Sequence, residues 1–332
     1  MRNINKERLI LMIPRKLKKG DTIGIVTPSK PITQDQRYLF DNTIDYLNQL
    51  GFNVIYAKNA LSIDKYGVSG GTVEQRAEDI NHMFSDEKIK AIWCAQGGDT
   101  ANQILDFLDY ELIKNNPKIF MGKSDIDLLS LAINKMTGLI TFHAPDPKLG
   151  KATDFDFEYS KKAFNERLIK GEIGIIERSS EWKCIRKGKA TGSIIGCNIT
   201  SILKLAGTKY FPDFNKKILF VESYTSGIND IIYELTQLKQ IGVFDKISGI
   251  VGGYIYGFQD KKYLDKNPKI DKNGNKVNFE DIVLDVTKDY DFPILKINEF
   301  GHYCPNAFIP INCKAEVDAT DLSIKIIENC VK

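Results

Sequence analysis

One serine, one histidine and one glutamate sit in settings that suit nucleophilic catalysis. Lys118-Ile119-Phe120-Met121-Gly122-Lys123-Ser124-Asp125-Ile126 reads as a strand running through Gly-x-Ser directly into a helix. Such a turn lifts a serine to the edge of a sheet and leaves helix N-terminal amides free for an oxyanion. The second glycine of the usual elbow is replaced by Ile126, and Ser124 and Asp125 are equally suited to capping the helix. A serine nucleophile needs a base, and the chain has three histidines. His82 falls in an amphipathic helix, at its surface or boundary. His143, in Thr141-Phe142-His143-Ala144-Pro145, follows a strand and suits structural hydrogen bonding. His302 lies in Glu299-Phe300-Gly301-His302-Tyr303-Cys304-Pro305, a loop exposed enough to exchange protons and constrained enough to be aimed. Glu222 closes the apolar run Leu219-Phe220-Val221 and is placed to orient a histidine, unless it merely caps a helix or faces solvent. The chain order Ser, Glu, His is that of one convergent solution to this chemistry.

A second glycine turn, Gln96-Gly97-Gly98-Asp99-Thr100, follows the apolar segment Ile89–Cys94. Its glycines let backbone amides approach a developing negative charge, and a phosphate would use the same turn. Neither a Gly-x-Gly-x-x-Gly nor a Walker pattern accompanies it, so a nucleotide cofactor is not indicated.

The elements that must position these residues alternate between strand and helix. Asp21–Thr27, Asn53–Ala57, Ile89–Cys94 and Lys118–Met121 read as strands. Thr33–Leu50 (with Phe40, Ile44 and Leu47 on one face), a helix opened by the capping box Thr72-Val73-Glu74-Gln75, and Ile126–Lys135 read as helices. Strands separated by helices imply parallel pairing in a layered α/β sheet, with function outside the carboxyl ends of the strands. Residues 1–150 are expected to form this N-terminal domain, and 151–183, more polar, to connect it to a mixed α/β C-terminal domain at 184–332. In the latter, Gly188–Gly196, Lys217–Glu222, Ile247–Tyr254 and Pro293–Ile297 read as strands, Asn198 opens a helix, and Asn229–Gln240 is helical. Short β runs follow from Phe308. The active site is expected between the two domains.

At 332 residues the chain is long enough for two cores, and 42% hydrophobic with 27% charged residues is the profile of a soluble globular protein. A net charge of +3, with no dense basic run beside aromatics, argues against nucleic-acid binding. The basic cluster Lys261–Lys276 is interleaved with acids and asparagines and reads as a solvated loop. The apolar stretch Leu9–Ile13 is too short for a signal-peptide core or a membrane span, and Met12 is a candidate start. The six cysteines form no CxxC pair and fit no zinc template. A reducing, cytoplasmic setting accounts for them, with no metal expected.

Taken together, the segments resemble the serine LD-carboxypeptidase family, which includes muramoyl-tetrapeptide carboxypeptidases and microcin C immunity peptidases. The resemblance runs from Gly20-Asp21-Thr22-Ile23-Gly24-Ile25-Val26-Thr27-Pro28-Ser29 through the Gly97-Gly98 turn. It continues through Leu108-Asp109-Tyr110, Asn116–Phe120, Gly122-Lys123-Ser124-Asp125, Thr137–His143 and Gly192–Asn198. It ends with Gly207–Tyr210, Ile218–Glu222 and Gly301-His302 with Pro305. It implies Ser124 as nucleophile, His302 as general base, Glu222 as its orienting acid, and the amides of Gly98 and Asp125 as oxyanion hole. It also implies a homodimer and neither metal nor organic cofactor. Lys123 stands where the family usually has Tyr, Gln96 and Asp99-Thr100 where it has Arg and Tyr-Gly, Cys197 for a glycine, and Ser223 for an acid. These departures lie where substrate is selected, so Gly97, Asp99, Lys123 and Trp182 are the expected substrate contacts. The leading expectation is release of D-Ala from peptidoglycan LD-tetrapeptides during recycling. The alternative is cleavage of a peptidyl-nucleotide antibiotic, with Trp182 as a platform for the purine, and a third reading is a catalytically silent binding protein.

Overall fold

The computed structural model describes residues 11–332, so Met1–Ile10 of the N-terminal stretch lies outside the described residues. Strands β1 (Thr22–Val26), β2 (Asn53–Tyr56), β3 (Ile89–Cys94), β4 (Ile119–Gly122) and β5 (Thr141–His143) arise in the first half of the chain. β6 (Gly174–Ile175), β7 (Lys183–Arg186), β8 (Lys189–Asn198) and β9 (Ile218–Ser223) come next. They are followed by β10 (Gly249–Ile255), β11 (Ile294–Gly301), β12 (Ile309–Ile311), β13 (Lys314–Asp318) and β14 (Ser323–Ile326). They build a six-stranded sheet in the order β12-β5-β4-β3-β1-β2 and an eight-stranded sheet in the order β6-β14-β13-β8-β9-β10-β11-β7.

Buried on both faces, β1, β3 and β4 are near-continuous apolar runs, as parallel strands under helices must be. Helices α1 (Arg37–Gln49), α2 (Val73–Ser85), α3 (Tyr110–Asn115) and α4 (Ile126–Thr137) cover this sheet. The Thr72 capping box forms as the spacing predicts, with the hydroxyl accepting from the Gln75 amide. His82 lies exposed on α2. No helix among the described residues is long and apolar enough to cross a membrane.

Two expectations need correction. The tail does not belong wholly to the second domain: β12 pairs antiparallel with β5 and completes the first sheet. Three residues are too short a strand to announce a partner in sequence. Nor is 151–183 merely a connection. Phe155, just before α5 (Glu158–Phe164), and Phe164 at its end pack on Trp93 and Phe308, with ring centroids 4.9–6.5 Å apart. This aromatic group ties the junction to both halves of the chain. The Lys261–Lys276 region is largely exposed, with Lys269 drawn over the rings of Phe258 and Tyr263.

In the second sheet β8 runs parallel to β9, and its register sets Asn198 opposite Glu222. Gly196 makes that approach possible. Its φ is +117°, and a Cβ there would stand 2.1 Å from the Phe220 carbonyl oxygen. Gly196→Ala must therefore strain the backbone and push β8 from β9. A loss of roughly 3 kcal/mol or more in unfolding free energy is expected, read by thermal or denaturant unfolding; an unchanged midpoint would show that the two strands can part there freely.

Candidate active site

β3, β4, β9 and β11 all deliver their carboxyl ends to one cleft, which Gly97, Ser124 and His302 line, with Glu222 buried behind His302. The cleft has a volume of about 670 Å³ and is lined by both halves of the chain.

Ser124 follows β4 with φ of +61°, a left-handed conformation uncommon for a residue bearing a Cβ. This is the tight elbow expected of an exposed nucleophile. The surroundings hold it there. The first residues of α6 (Ile199–Lys204) pack beside it, and the Ser201 hydroxyl donates to the Ser124 carbonyl at 2.7 Å. The Asp125 carboxylate accepts from Ser29 Oγ at 2.6 Å and from the Ala101 amide at 2.8 Å, and pairs with Lys204 Nζ at 2.7 Å. Gly97 presses against the elbow so closely that a Cβ would lie 2.6 Å from Ser124 Cβ and 3.1 Å from the Asp125 amide. Among the described residues, neither the Gly98 nor the Asp125 amide donates to a protein acceptor.

His302 is 8% exposed and its Nδ1 stands 2.7 Å from Glu222 Oε2. The other Glu222 oxygen accepts from Asn198 Nδ2 at 2.8 Å. Burial alone raises the Glu222 pKa, but the facing imidazole and the Asn198 amide outweigh it and hold the carboxyl at about 2. The acid is therefore ionised across the working pH range. With Nδ1 directed to Glu222, the Nε2 of His302 is left for a nucleophile's proton. The Tyr224 ring stacks on the imidazole with centroids 4.9 Å apart, and Tyr303 stands beside it, half exposed at the cleft rim.

The remaining sequence candidates divide. Gly97, Gly98, Asp99 and Lys123 all line the cleft. Lys123 is nearly buried and forms an ion pair with Asp154 of the connecting segment. Trp182, expected as a substrate contact, does not line it. Its ring is 4% exposed in the core, its Nε1 donates to Glu299 Oε2 at 2.7 Å, and the Arg178 guanidinium covers its face. Glu299 also accepts from Ser179 and Ser180, so this segment is drawn inward. His143 is fully buried with Nδ1 3.0 Å from both oxygens of Asp127, the structural pairing its setting suggested. Sequence reasoning missed Asp127, Ser201, Lys204, Tyr224 and Tyr303 as parts of the site. Only Asn198 carried a signal, as a helix cap, and it does cap α6 by accepting from the Ser201 amide at 3.0 Å.

The LD-carboxypeptidase N-terminal domain family matches residues 23–144, and the LD-carboxypeptidase C-terminal domain family matches residues 191–317. The chain belongs to the LD-carboxypeptidase family. It is a serine peptidase by that membership. Among its relatives, the "Probable murein peptide carboxypeptidase" of Bacillus subtilis is 30% identical, over 93% of this chain and 92% of that protein. The microcin C7 self-immunity protein MccF of Escherichia coli is 29% identical, over 96% of each. The structure of MccF in its wild-type apo state superposes with a TM-score of 0.84 at 26% identity, covering 97% of this chain and 100% of that one. Other MccF structures hold aspartyl sulfamoyl adenosine and glutamyl sulfamoyl guanosine. A muramoyltetrapeptide carboxypeptidase from Oxalobacter formigenes, 21% identical with a TM-score of 0.74, shares the fold.

Behind α6 lies a carboxyl with a measurable signature. Glu234, on α7 (Ile228–Gln240), is 2% exposed; one oxygen accepts from Thr200 Oγ1 at 2.7 Å, and the other has no partner. Burial, countered by the Thr200 hydrogen bond and reinforced by Asp230 and Glu222, raises its pKa from 4.5 to about 7. Because the folded value exceeds the unfolded one, the folded protein takes up a proton between these pH values. Ionised Glu234 then opposes folding above pH 7. Glu234→Gln is expected to stabilise the protein by roughly 3 kcal/mol at pH 8 and to leave stability nearly unchanged at pH 4.5, read by chemical unfolding at both pH values. Equal effects at both would contradict the assignment.

Proposed function

We propose that the chain releases a terminal D-amino acid from peptidoglycan-derived LD-tetrapeptides, using Ser124, His302 and Glu222 as a catalytic triad. The observation that carries the triad is the Glu222–His302 contact at 2.7 Å, opening into the cleft that Ser124 lines. His302 Nε2 takes the Ser124 proton as Oγ attacks the scissile carbonyl carbon. The resulting oxyanion is received by the amides of Gly98 and Asp125. As the C–N bond breaks, the proton passes from His302 to the departing amine, leaving an acyl-enzyme. Water, deprotonated by His302, then attacks the acyl carbon, and Ser124 departs with its proton restored. Ionised Glu222 stabilises the imidazolium formed in each half-reaction and fixes its tautomer. Gly97, Asp99 and Lys123 border the bound peptide. The relatives named for murein peptide carboxypeptidase activity support this substrate class.

A second reading has its own observation. Tyr224 and Tyr303 offer planar faces at the cleft rim, 5.9 Å apart between centroids and close to His302. In place of Trp182, they suit the base of a peptidyl- or aminoacyl-nucleotide, the ligand type held in the MccF structures. The protein is taken to act in the cytoplasm, as its free cysteines favour, and as a homodimer, which the family resemblance supports.

Mass spectrometry of the protein incubated with a muramoyl LD-tetrapeptide, and separately with aspartyl sulfamoyl adenosine, tests these readings. D-alanine release by wild type, lost at least 10³-fold in Ser124→Ala, is the expected result. Cleavage of the nucleotide analogue alone would replace the first reading by the second, and turnover surviving in Ser124→Ala would refute the nucleophile.

A further inference from the structure

The two walls of the cleft differ chemically. On the side of Glu222 and His302 it is lined by Ser223, Tyr224, Thr225, Ser226 and Tyr303, none of them charged in ordinary solution. The rest of the cleft lining carries four lysines, Lys30, Lys123, Lys148 and Lys204. Three of these are already held by acids. Lys123 pairs with Asp154, Lys204 with Asp125 at 2.7 Å and Asp99 at 3.5 Å, and Lys148 with Asp146 at 3.4 Å. Lys30 is exposed and makes no salt bridge among the described residues.

Its backbone, by contrast, is firmly placed. The Lys30 amide donates to the Gly97 carbonyl at 3.1 Å, and Gln96 Nε2 donates to the carbonyls of Lys30 and Pro31. The preceding Ser29 is bonded to Asp125. A Cβ built on Gly98 would lie 2.9 Å from both the amide nitrogen and the Cβ of Lys30. Lys30 therefore starts from the edge of the proposed oxyanion loop, with only its side chain free to move. In a peptide cut before its last residue, the terminal carboxylate lies about one residue length (roughly 3.8 Å) beyond the scissile carbonyl. A long cationic side chain rooted beside the oxyanion loop is within reach of that group.

We infer that Lys30 is a specificity-determining residue that binds the free carboxylate on the leaving-group side of the scissile amide. This rests on the carboxypeptidase reading above and adds the residue that makes the enzyme act at a chain end. Lys148 also lines the cleft, but two of its three N–H donors are taken by Gln96 Oε1 and Asp146. A point charge on a flexible stem recognises a carboxylate wherever it falls within reach, without the fixed fork that Arg would impose.

The test compares a muramoyl LD-tetrapeptide with its C-terminal amide on wild type, Lys30→Met and Lys30→Arg. Lys30→Met is expected to lose roughly 10- to 100-fold in kcat/KM on the free acid, mainly through KM. The same variant should process the amide at the wild-type rate, and Lys30→Arg should keep most of the preference for the acid. Titrating both peptides by calorimetry into full-length Ser124→Ala, with and without Lys30→Met, reads recognition apart from turnover. If the acid binds more tightly and Lys30→Met erases the difference while no D-alanine is released, the carboxypeptidase reading fails and the carboxylate site stands. Equal binding of acid and amide, binding of neither, or a preference that survives Lys30→Met overturns the assignment.

Discussion

Asn198 makes hydrogen bonds to groups on each side of the cleft, and the site depends on them. Its amide nitrogen donates to Asp127 Oδ2 at 3.1 Å, on the helix that follows Ser124. Its side-chain Nδ2 donates to Glu222 at 2.8 Å, and its Oδ1 accepts from the Ser201 backbone amide, while the Ser201 hydroxyl holds the Ser124 carbonyl. One residue thus couples the elbow helix α4, the strand end bearing the acid and the helix that braces the elbow. These bonds are buried, where an amide left without partners costs about 1–3 kcal/mol, so the two sheets cannot separate at this point without loss. The register of β8 against β9, allowed by Gly196, is what puts Asn198 there.

The architecture follows from a constraint on parallel strands. Each sheet presents its reactive loops at the carboxyl ends of its strands, so a site needing a serine from one sheet and a His–Glu pair from the other requires those ends to face each other. β12 crosses to the first sheet and the aromatic group around Trp93 binds the connecting segment, which fixes the two sheets across the cleft. The left-handed Ser124 persists because Ser201, Lys204 and the Asp125 contacts hold both sides of it. A second buried pair, His143–Asp127, fills the space beneath and receives the Asn198 amide. Burial raises the Asp127 pKa, opposed by the facing His143.

What was legible in sequence was local. Apolar runs of strand length, the Thr72 capping box and the Gly-x-Ser elbow state their structure within a few residues. So do the strand-end Glu222 and the glycine-framed His302. Contacts made by distant segments were not legible. Asp127 reads as an ordinary acid in a first helical turn until His143 and Asn198 arrive beside it. Trp182 looked like a free platform, because nothing adjacent revealed that Glu299, 117 residues away, would claim its indole nitrogen. Tyr224 and Tyr303 are unremarkable in sequence and become a wall only when β9 and β11 end side by side around β10.

The proposed chemistry requires that His302, oriented by Glu222, activate Ser124 across the cleft. The most direct measurement is the second-order rate of covalent labelling by a fluorophosphonate, with the adduct located by peptide mass spectrometry. A single adduct on Ser124, formed at least 100-fold more slowly in a folded His302→Ala protein, is the result predicted. Labelling at another residue, or an undiminished rate without His302, would contradict it.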